Sequence, residues 1–154
     1  MGVEVLREAL SRCRVLMLDT TVFSYHLSGH ADYTPVTSTI LRAVESGAVA
    51  GLTTTITLAE LLTRPAQERD RQALRDYELY LTNFPNLKLV PLDAAVAREA
   101  ALVRAATGLR MPDAIQIAAA RINGADTIAT NDRAWIGKVA APALLILGDY
   151  LGAP

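Results

Sequence analysis

The sequence predicts an α/β fold: a three-layer α/β/α sandwich built on a parallel sheet of about five strands. Two observations carry that expectation. Short apolar runs alternate along the chain with segments of helical periodicity, the order that gives a parallel sheet covered by helices on both faces. Half of the residues are hydrophobic (51%) but only 5% are aromatic, so the core is one of small aliphatic side chains. A third observation bears on function. Acidic residues stand where strands end and helices begin, and in an open α/β sheet those ends meet in one crevice.

Each element has its own local reason. Residues 3–12 place Val3, Leu6, Ala9 and Leu10 at helical spacing, with Cys13 following, which gives a short amphipathic helix. Val15–Leu18 is an unbroken apolar run that stops at Asp19, a buried strand. Thr20 to Leu27 turns into a helix capped by Asp19 or a threonine. Gly29 to Pro35 reads as a loop, and Val36–Glu45 as a helix with Ile40, Leu41 and Val44 on one side, ended by Gly47. Ala48–Thr53 is the second strand. Thr54 or Thr55 caps the next helix, which carries Glu60 and is stopped by Pro65. Residues 66–83 form a charged helix with Leu74, Tyr77, Leu81 and Phe84 as its apolar stripe. Leu87–Pro91 is the third strand. Asp93 caps an alanine-rich helix to about Ala106, ended by Gly108, and Asp113 opens another that runs to Asn123 and Gly124. Thr127–Ala129 and Ala143–Leu147 are the fourth and fifth strands. No repeat, low-complexity segment or linker interrupts the 154 residues, which read as one domain, 1–154, with a helical extension over 1–14.

Composition narrows the function classes. The single cysteine, Cys13, excludes an internal disulfide and a cysteine-based zinc site, and suits a reducing cytoplasm. No apolar run reaches the ~18 residues of a membrane span, and the charged N-terminus lacks a signal-peptide core. A net charge of −1 argues against a protein that coats nucleic acid, but not against a nuclease whose acids are covered by metal. The basic residues are nearly all arginine, which suits bidentate phosphate contacts.

Four acids form the candidate site: Asp19, Glu60, Asp113 and Asp132. Carboxylates sharing a crevice repel, so a pKa rises or a cation neutralises them, and oxygen-only ligands suit Mg²⁺ or Mn²⁺. Each acid also has a purely structural reading. Asp19 can be an N-cap, though either following threonine would serve. Asp113 after Pro112 is favoured at a helix start by φ restriction and the helix dipole. Asp132 begins a short segment after a strand. Glu60 is the hardest to explain structurally, since Leu58, Ala59, Leu61 and Leu62 surround it and buried glutamate needs a partner or ligand.

Taken together, Leu18-Asp19-Thr20-Thr21, Thr57 to Leu62, Pro112 to Ala119 and Thr130-Asn131-Asp132 resemble the PIN-domain ribonucleases, most closely the VapC type of bacterial toxin. The resemblance runs from about Val15 to Tyr150. It implies a parallel sandwich of strand order 3-2-1-4-5. It also implies that Asp19, Glu60, Asp113 and Asp132 hold one or two Mg²⁺ or Mn²⁺ ions, with Thr21 and Thr130 supporting them by hydrogen bonds. The implied activity is endonucleolytic cleavage of RNA, and the implied partners are an antitoxin protein and a second copy of the chain as a homodimer. Most such toxins begin almost at the first strand, so the residues ahead of Val15 are a departure: either a packing helix or a misassigned start.

A metal held by these acids lowers the pKa of a bound water, aims it in line at phosphorus and neutralises charge on the phosphate oxygens. Asp19 and Asp113 are assigned as central ligands, Glu60 and Asp132 as outer ones. Attack by water leaves a 5′-phosphate and a 3′-hydroxyl. Arg110 is a candidate phosphate contact, with a solvated loop arginine as its bland alternative. His26 and His30 are read as loop or surface histidines rather than a zinc pair, because Gly29 intervenes. Trp135 is read as a core or hinge residue, Cys13 as a small buried hydrophobe. Arg64, Arg69, Arg71 and Arg75 are read as a solvated face paired with Glu68, Asp70 and Asp76 rather than an RNA surface. The alternative to a nuclease is a catalytically weak PIN-like module that binds RNA or protein. A phosphatase would want a second Asp where Thr21 stands, and a receiver domain a lysine after the fifth strand, where Gly148 and Asp149 follow.

Overall fold

The computed structural model describes residues 2–152. Its elements are α1 (Val3–Ser11), β1 (Val15–Leu18), α2 (Thr20–Ser28), α3 (Thr34–Glu45), β2 (Ala50–Thr54), α4 (Thr55–Gln67) and α5 (Arg71–Thr82). They continue with β3 (Leu87–Val90), α6 (Ala94–Thr107), α7 (Met111–Ile122), β4 (Thr127–Thr130) and β5 (Ala143–Ile146), with 3-10 turns at Arg133–Trp135 and Leu147–Tyr150. The five strands are parallel in the order β3-β2-β1-β4-β5. Helices cover both faces, so the chain is the three-layer α/β/α sandwich its sequence predicts.

The two-residue period of β1 builds both layers. Leu16 and Leu18 point into one core with Leu6, Leu10, Phe23, Ile40, Val44 and Leu81, drawn from α1 to α5. Met17 points the other way, into a core with Val96, Val103, Ile117, Ile128 and Trp135, drawn mainly from α6 and α7. Trp135 is fully buried there, the core residue its sequence context suggests. Gly51 in β2 stands where a Cβ would lie 2.6 Å from Val44 Cγ1 and 3.0 Å from Leu87 Cδ1, so only glycine lets α3 approach the sheet this closely.

Helix boundaries depart from the sequence reading in three places. Pro65 does not stop α4, which carries it in its last turn and ends at Gln67. The helix expected over 66–83 is broken by Arg69 in the left-handed region (φ 56°), and α5 restarts at Arg71 with the Asp70 carboxylate accepting the Ala73 N–H. The expected Gly29–Pro35 loop is shortened by α3, which starts at Thr34 with Pro35 in its first turn, where the missing N–H costs nothing.

The segment ahead of β1 is a packed helix. Leu6 and Leu10 are buried, and α1 contacts α3 and the 3-10 turn Leu147–Tyr150. Cys13 is buried as well, and its Sγ donates to Asp126 Oδ1 at 2.9 Å. Burial, together with that carboxylate, pushes its thiol up to about 12, which makes it an inert side chain. Asp126 in turn clips the starts of β1 and β4. Its Oδ2 accepts the N–H groups of Arg14 (3.0 Å) and Val15 (3.2 Å), and its Oδ1 accepts the Thr127 hydroxyl. Partial burial opposes its charge, but the hydrogen bonds from Cys13, Arg14, Val15 and Thr127 outweigh it and hold the carboxyl below the usual range.

Two predictions follow from this frame. Leu6→Ala should cost about 2–5 kcal/mol of unfolding free energy in urea titrations, because it empties a fully buried site; a loss within error would mark α1 as peripheral. Because the folded pKa of Asp126 is depressed, its stabilisation is complete above about pH 4 and lost as pH falls through the folded value. Asp126→Asn should therefore flatten the drop in Tm between about pH 5 and pH 2, and an acid limb parallel to wild type would show that the clip carries no such stability.

Candidate active site

Asp19 ends the central strand. Its N–H still joins the ladder, donating to the Ala129 carbonyl of β4 at 3.0 Å, while its extended backbone (φ −72°, ψ 160°) makes it the N-cap residue of α2. The side chain does not cap that helix. It is 7% exposed and turns toward donors from three elements. Thr130 Oγ1 at the end of β4 donates to Oδ2 at 2.8 Å, Thr21 Oγ1 donates to the same oxygen at 3.2 Å, and Gln116 Nε2 of α7 reaches Oδ1 at 3.4 Å. Burial pushes this carboxyl above the usual aspartate range despite those bonds, and the charge of Asp132 adds to the rise.

The other three acids border the same crevice. Asp113 lies in the first turn of α7, its side chain 17% exposed. Burial and then the charge of Asp19 raise its pKa, against the pull of Arg110. Glu60 on α4 is likewise raised, by burial of its carboxyl and then by the charges of Asp19 and Asp113. Asp132 follows β4. Its N–H donates to Thr130 Oγ1 at 3.1 Å and its Oδ1 accepts the Ala134 N–H at 2.9 Å, capping the 3-10 turn Arg133–Trp135. Thr130 thus links Asp19 and Asp132 through one fully buried hydroxyl.

Two expectations need correction here. Glu60 is not a buried mid-helix glutamate: the residue is exposed, at the lip of a cleft of about 610 Å³ between α2, α4 and α5 whose walls include Thr20, Leu27, Arg64 and Tyr77. Its sequence neighbours are apolar, but the core-facing residues of α4 are Thr57, Leu61 and Pro65. The four acids also do not stand as a closed chelate. Among the described residues, no three Asp, Glu, His or Cys side chains converge closely enough to share one ion. The donor chemistry fits a hard cation, since the carboxyls of Asp19, Glu60 and Asp113 are each raised partly by the charge of another acid of the set. Chelation by the set requires side-chain rotation, which the exposed Glu60 allows.

The remaining candidates fall into place around this crevice. Arg110 precedes α7 with its side chain 83% exposed and its Nε 3.7 Å from Asp113 Oδ2, so it partners an acid of the site. Arg64 pairs with Glu68 at 2.9 Å, and Arg75 bonds Gln72 rather than Asp76, the solvated face expected of that series. His26 faces the Thr37 and Ser38 hydroxyls, while His30 packs its ring against Tyr25 and Tyr33.

Sequence reasoning missed a polar layer beneath the acids. Gln116, one turn after Asp113, is 1% exposed. Its Oε1 accepts the Thr54 hydroxyl at 2.8 Å, and its Nε2 donates to Thr57 Oγ1 at 2.7 Å and approaches Thr20 Oγ1 at 3.4 Å. A glutamine among Ala114, Ile115, Ile117 and Ala118 was the available signal, because a buried amide must be satisfied.

A family model of the PIN domain matches residues 16–141. No curated protein matches the chain significantly. Among solved structures, the chain is similar to VapBC2 from Rickettsia felis bound to a DNA fragment from their promoter, with 17% identity, a TM-score of 0.67 and coverage of 86% of this chain and 98% of that one. It is also similar to FitAcB from Neisseria gonorrhoeae (21% identity, TM-score 0.66, 86% and 98% covered) and to a toxin-antitoxin complex from Klebsiella pneumoniae (16%, 0.65, 86% and 97%). At these identities the likeness is one of fold. The family match spans most of the chain, from the strand that delivers Asp19 past the turn that carries Asp132, and the chain belongs to the PIN domain family.

Proposed function

We propose that this chain is a divalent-metal-dependent endoribonuclease and the toxin of a toxin–antitoxin pair. The observation that carries the reading is a buried Asp19 beside Asp113 and Glu60, whose charges act on one another, with no ion pair to Asp19 or Glu60 among the described residues. Arg110 is exposed and pairs with Asp113, and Arg64, one turn beyond Glu60 in the cleft wall, is exposed and pairs with Glu68. PIN domains as a family are nucleases, and the likeness to solved toxin–antitoxin assemblies supports an antitoxin partner here.

Asp19 and Asp113 would hold the ion centrally, with Glu60 and Asp132 as outer ligands or positioners of water. When bound, Mg²⁺ or Mn²⁺ supplies an activated water and charge neutralisation at the scissile phosphate. The chain's own residues do the rest. Thr130 and Thr21 fix the Asp19 oxygens in place, and Thr130 also holds the backbone that presents Asp132. Arg110, at the open end of α7, is placed to meet a phosphate of the RNA backbone. The cleft beside Glu60 gives a strand room to approach the acids. The product would carry a 5′-phosphate and a 3′-hydroxyl. A homodimer and a cytoplasmic location belong to the same reading; no described helix is long and apolar enough to cross a membrane.

The reading makes two predictions. Purified protein should cut total cellular RNA with Mg²⁺ or Mn²⁺ and not with EDTA, and Asp19→Asn or Asp113→Asn should slow cutting at least about 100-fold. Folded, partner-free protein that cuts nothing under any of these conditions would favour the non-catalytic binding module instead. In EDTA, Asp113→Asn should be more stable than wild type by about 0.5–1 kcal/mol, because it removes a repelling charge. Mn²⁺ should then raise the Tm of wild type more than that of the variant, and an equal rise in both would place the ion elsewhere.

A further inference from the structure

Asp113, Glu60 and Asp19 sit on three separate elements, yet one buried side chain links those elements. Gln116 lies one turn beyond Asp113 on α7. Its amide bonds Thr57 of α4, one turn before Glu60, and Thr54, whose hydroxyl also accepts the N–H groups of Ile56 and Thr57 at the start of that helix. It reaches Asp19 and Thr20 at the junction of β1 and α2. The orientation of the amide is dictated by its partners. The Thr54 hydroxyl already accepts two N–H groups, so its proton goes to Oε1, and Nε2 is left facing a carboxylate that can only accept.

We propose that Gln116 is a positioning residue for metal binding: it sets the spacing of the three acid-bearing elements and holds a donor toward Asp19. This rests on the nuclease reading above. Leucine has the bulk without either hydrogen bond, and glutamate would still accept the Thr54 hydroxyl but would set a second carboxylate beside Asp19 in place of the donor. The partners are distant in sequence, so the link is made only by the fold. Because the amide contacts the site from beneath, its effect on the reaction runs through the acids and their ion.

The test uses the full chain and reads Mn²⁺ affinity by the loss of the free-ion signal in electron paramagnetic resonance, which needs no turnover. Gln116→Leu should weaken Mn²⁺ binding tenfold or more and lower kcat more than it raises KM. Thr57→Val, which removes one partner of the amide, should give a smaller loss of the same kind and keeps the proposal testable if Gln116→Leu does not fold. Leu6→Ala, in the other core under α1, whose main contacts are α3 and the 3-10 turn Leu147–Tyr150, serves as the stability control: it should lower Tm while leaving Mn²⁺ affinity at the wild-type value. Folded Gln116→Leu or Thr57→Val with wild-type Mn²⁺ affinity and kcat would overturn the positioning role. So would Leu6→Ala losing affinity in proportion to its stability. Wild-type protein that neither binds Mn²⁺ nor cuts RNA would instead bring down the nuclease reading itself, and this inference with it.

Discussion

The carboxylate of Asp19, buried at the end of the central strand, constrains everything around it. A buried anion is costly unless hydrogen-bonded, and these bonds come from three directions. Thr130 supplies one only because β4 lies beside β1 with Leu18 opposite Ala129, which brings the two strand ends level. Thr21 supplies another because the chain turns into α2 at once. Even so, burial wins and the carboxyl stays above its usual range. The protein thus keeps an anion that its own donors only partly stabilise, in the one place where the strand order reverses and a ligand can reach it.

Around that point the sheet and the helices divide the labour. The strands deliver side chains at fixed height, since Leu16 and Met17 are paired on both sides, with β2 and β4, and Leu18 with β4. The helices deliver Asp113 and Glu60 from opposite sides. The buried face of α7 is largely alanine, with Ala114, Ala118, Ala119 and Ala120 fully buried, which lets the helix lie close against its neighbours. The threonines and Gln116 fill the space between helix starts and strand ends with hydrogen bonds, where apolar packing alone would leave hydroxyls and amides unsatisfied.

The strands were readable because a parallel strand buried on both faces is a continuous apolar run. Val15–Leu18 matches its predicted bounds, and the other four lie within two residues of theirs. Helix ends were less readable. Pro65 looks like a stop, but a proline in the last turn disturbs only the hydrogen bond it replaces, and the break comes at Arg69, which no residue preference announces. Of the site, Asp19 could be placed from its strand, and Asp113 from its helix start. Glu60 was misjudged because neighbours in sequence are not neighbours on a helix: Leu61 points to the core while Glu60, about 100° around the axis, points out. Gln116 was passed over because its partners are 59, 62 and 97 residues away. Local pattern sees an apolar helix with one polar interruption; only the fold shows what the interruption touches.

The same arrangement decides how a nucleic acid could be handled. RNA is a polyanion, and a crevice whose acids raise one another's pKa repels it. Arg110 cannot reverse that field, because it is solvated and already shares its charge with Asp113, and Arg64 near Glu60 is likewise solvated and paired with Glu68. On the proposed reading, a cation from outside would relieve that repulsion before a phosphate settles against Asp19. Its binding and that of the phosphate would then be coupled with the same sign and the same magnitude, each favouring the other. A site with a lysine built in would bind RNA without metal but lose this dependence. Here Asp113 has one exposed cationic partner and Asp19 has none among the described residues, and that is the physical reason to propose them as a site that waits for an ion rather than as a set of helix caps.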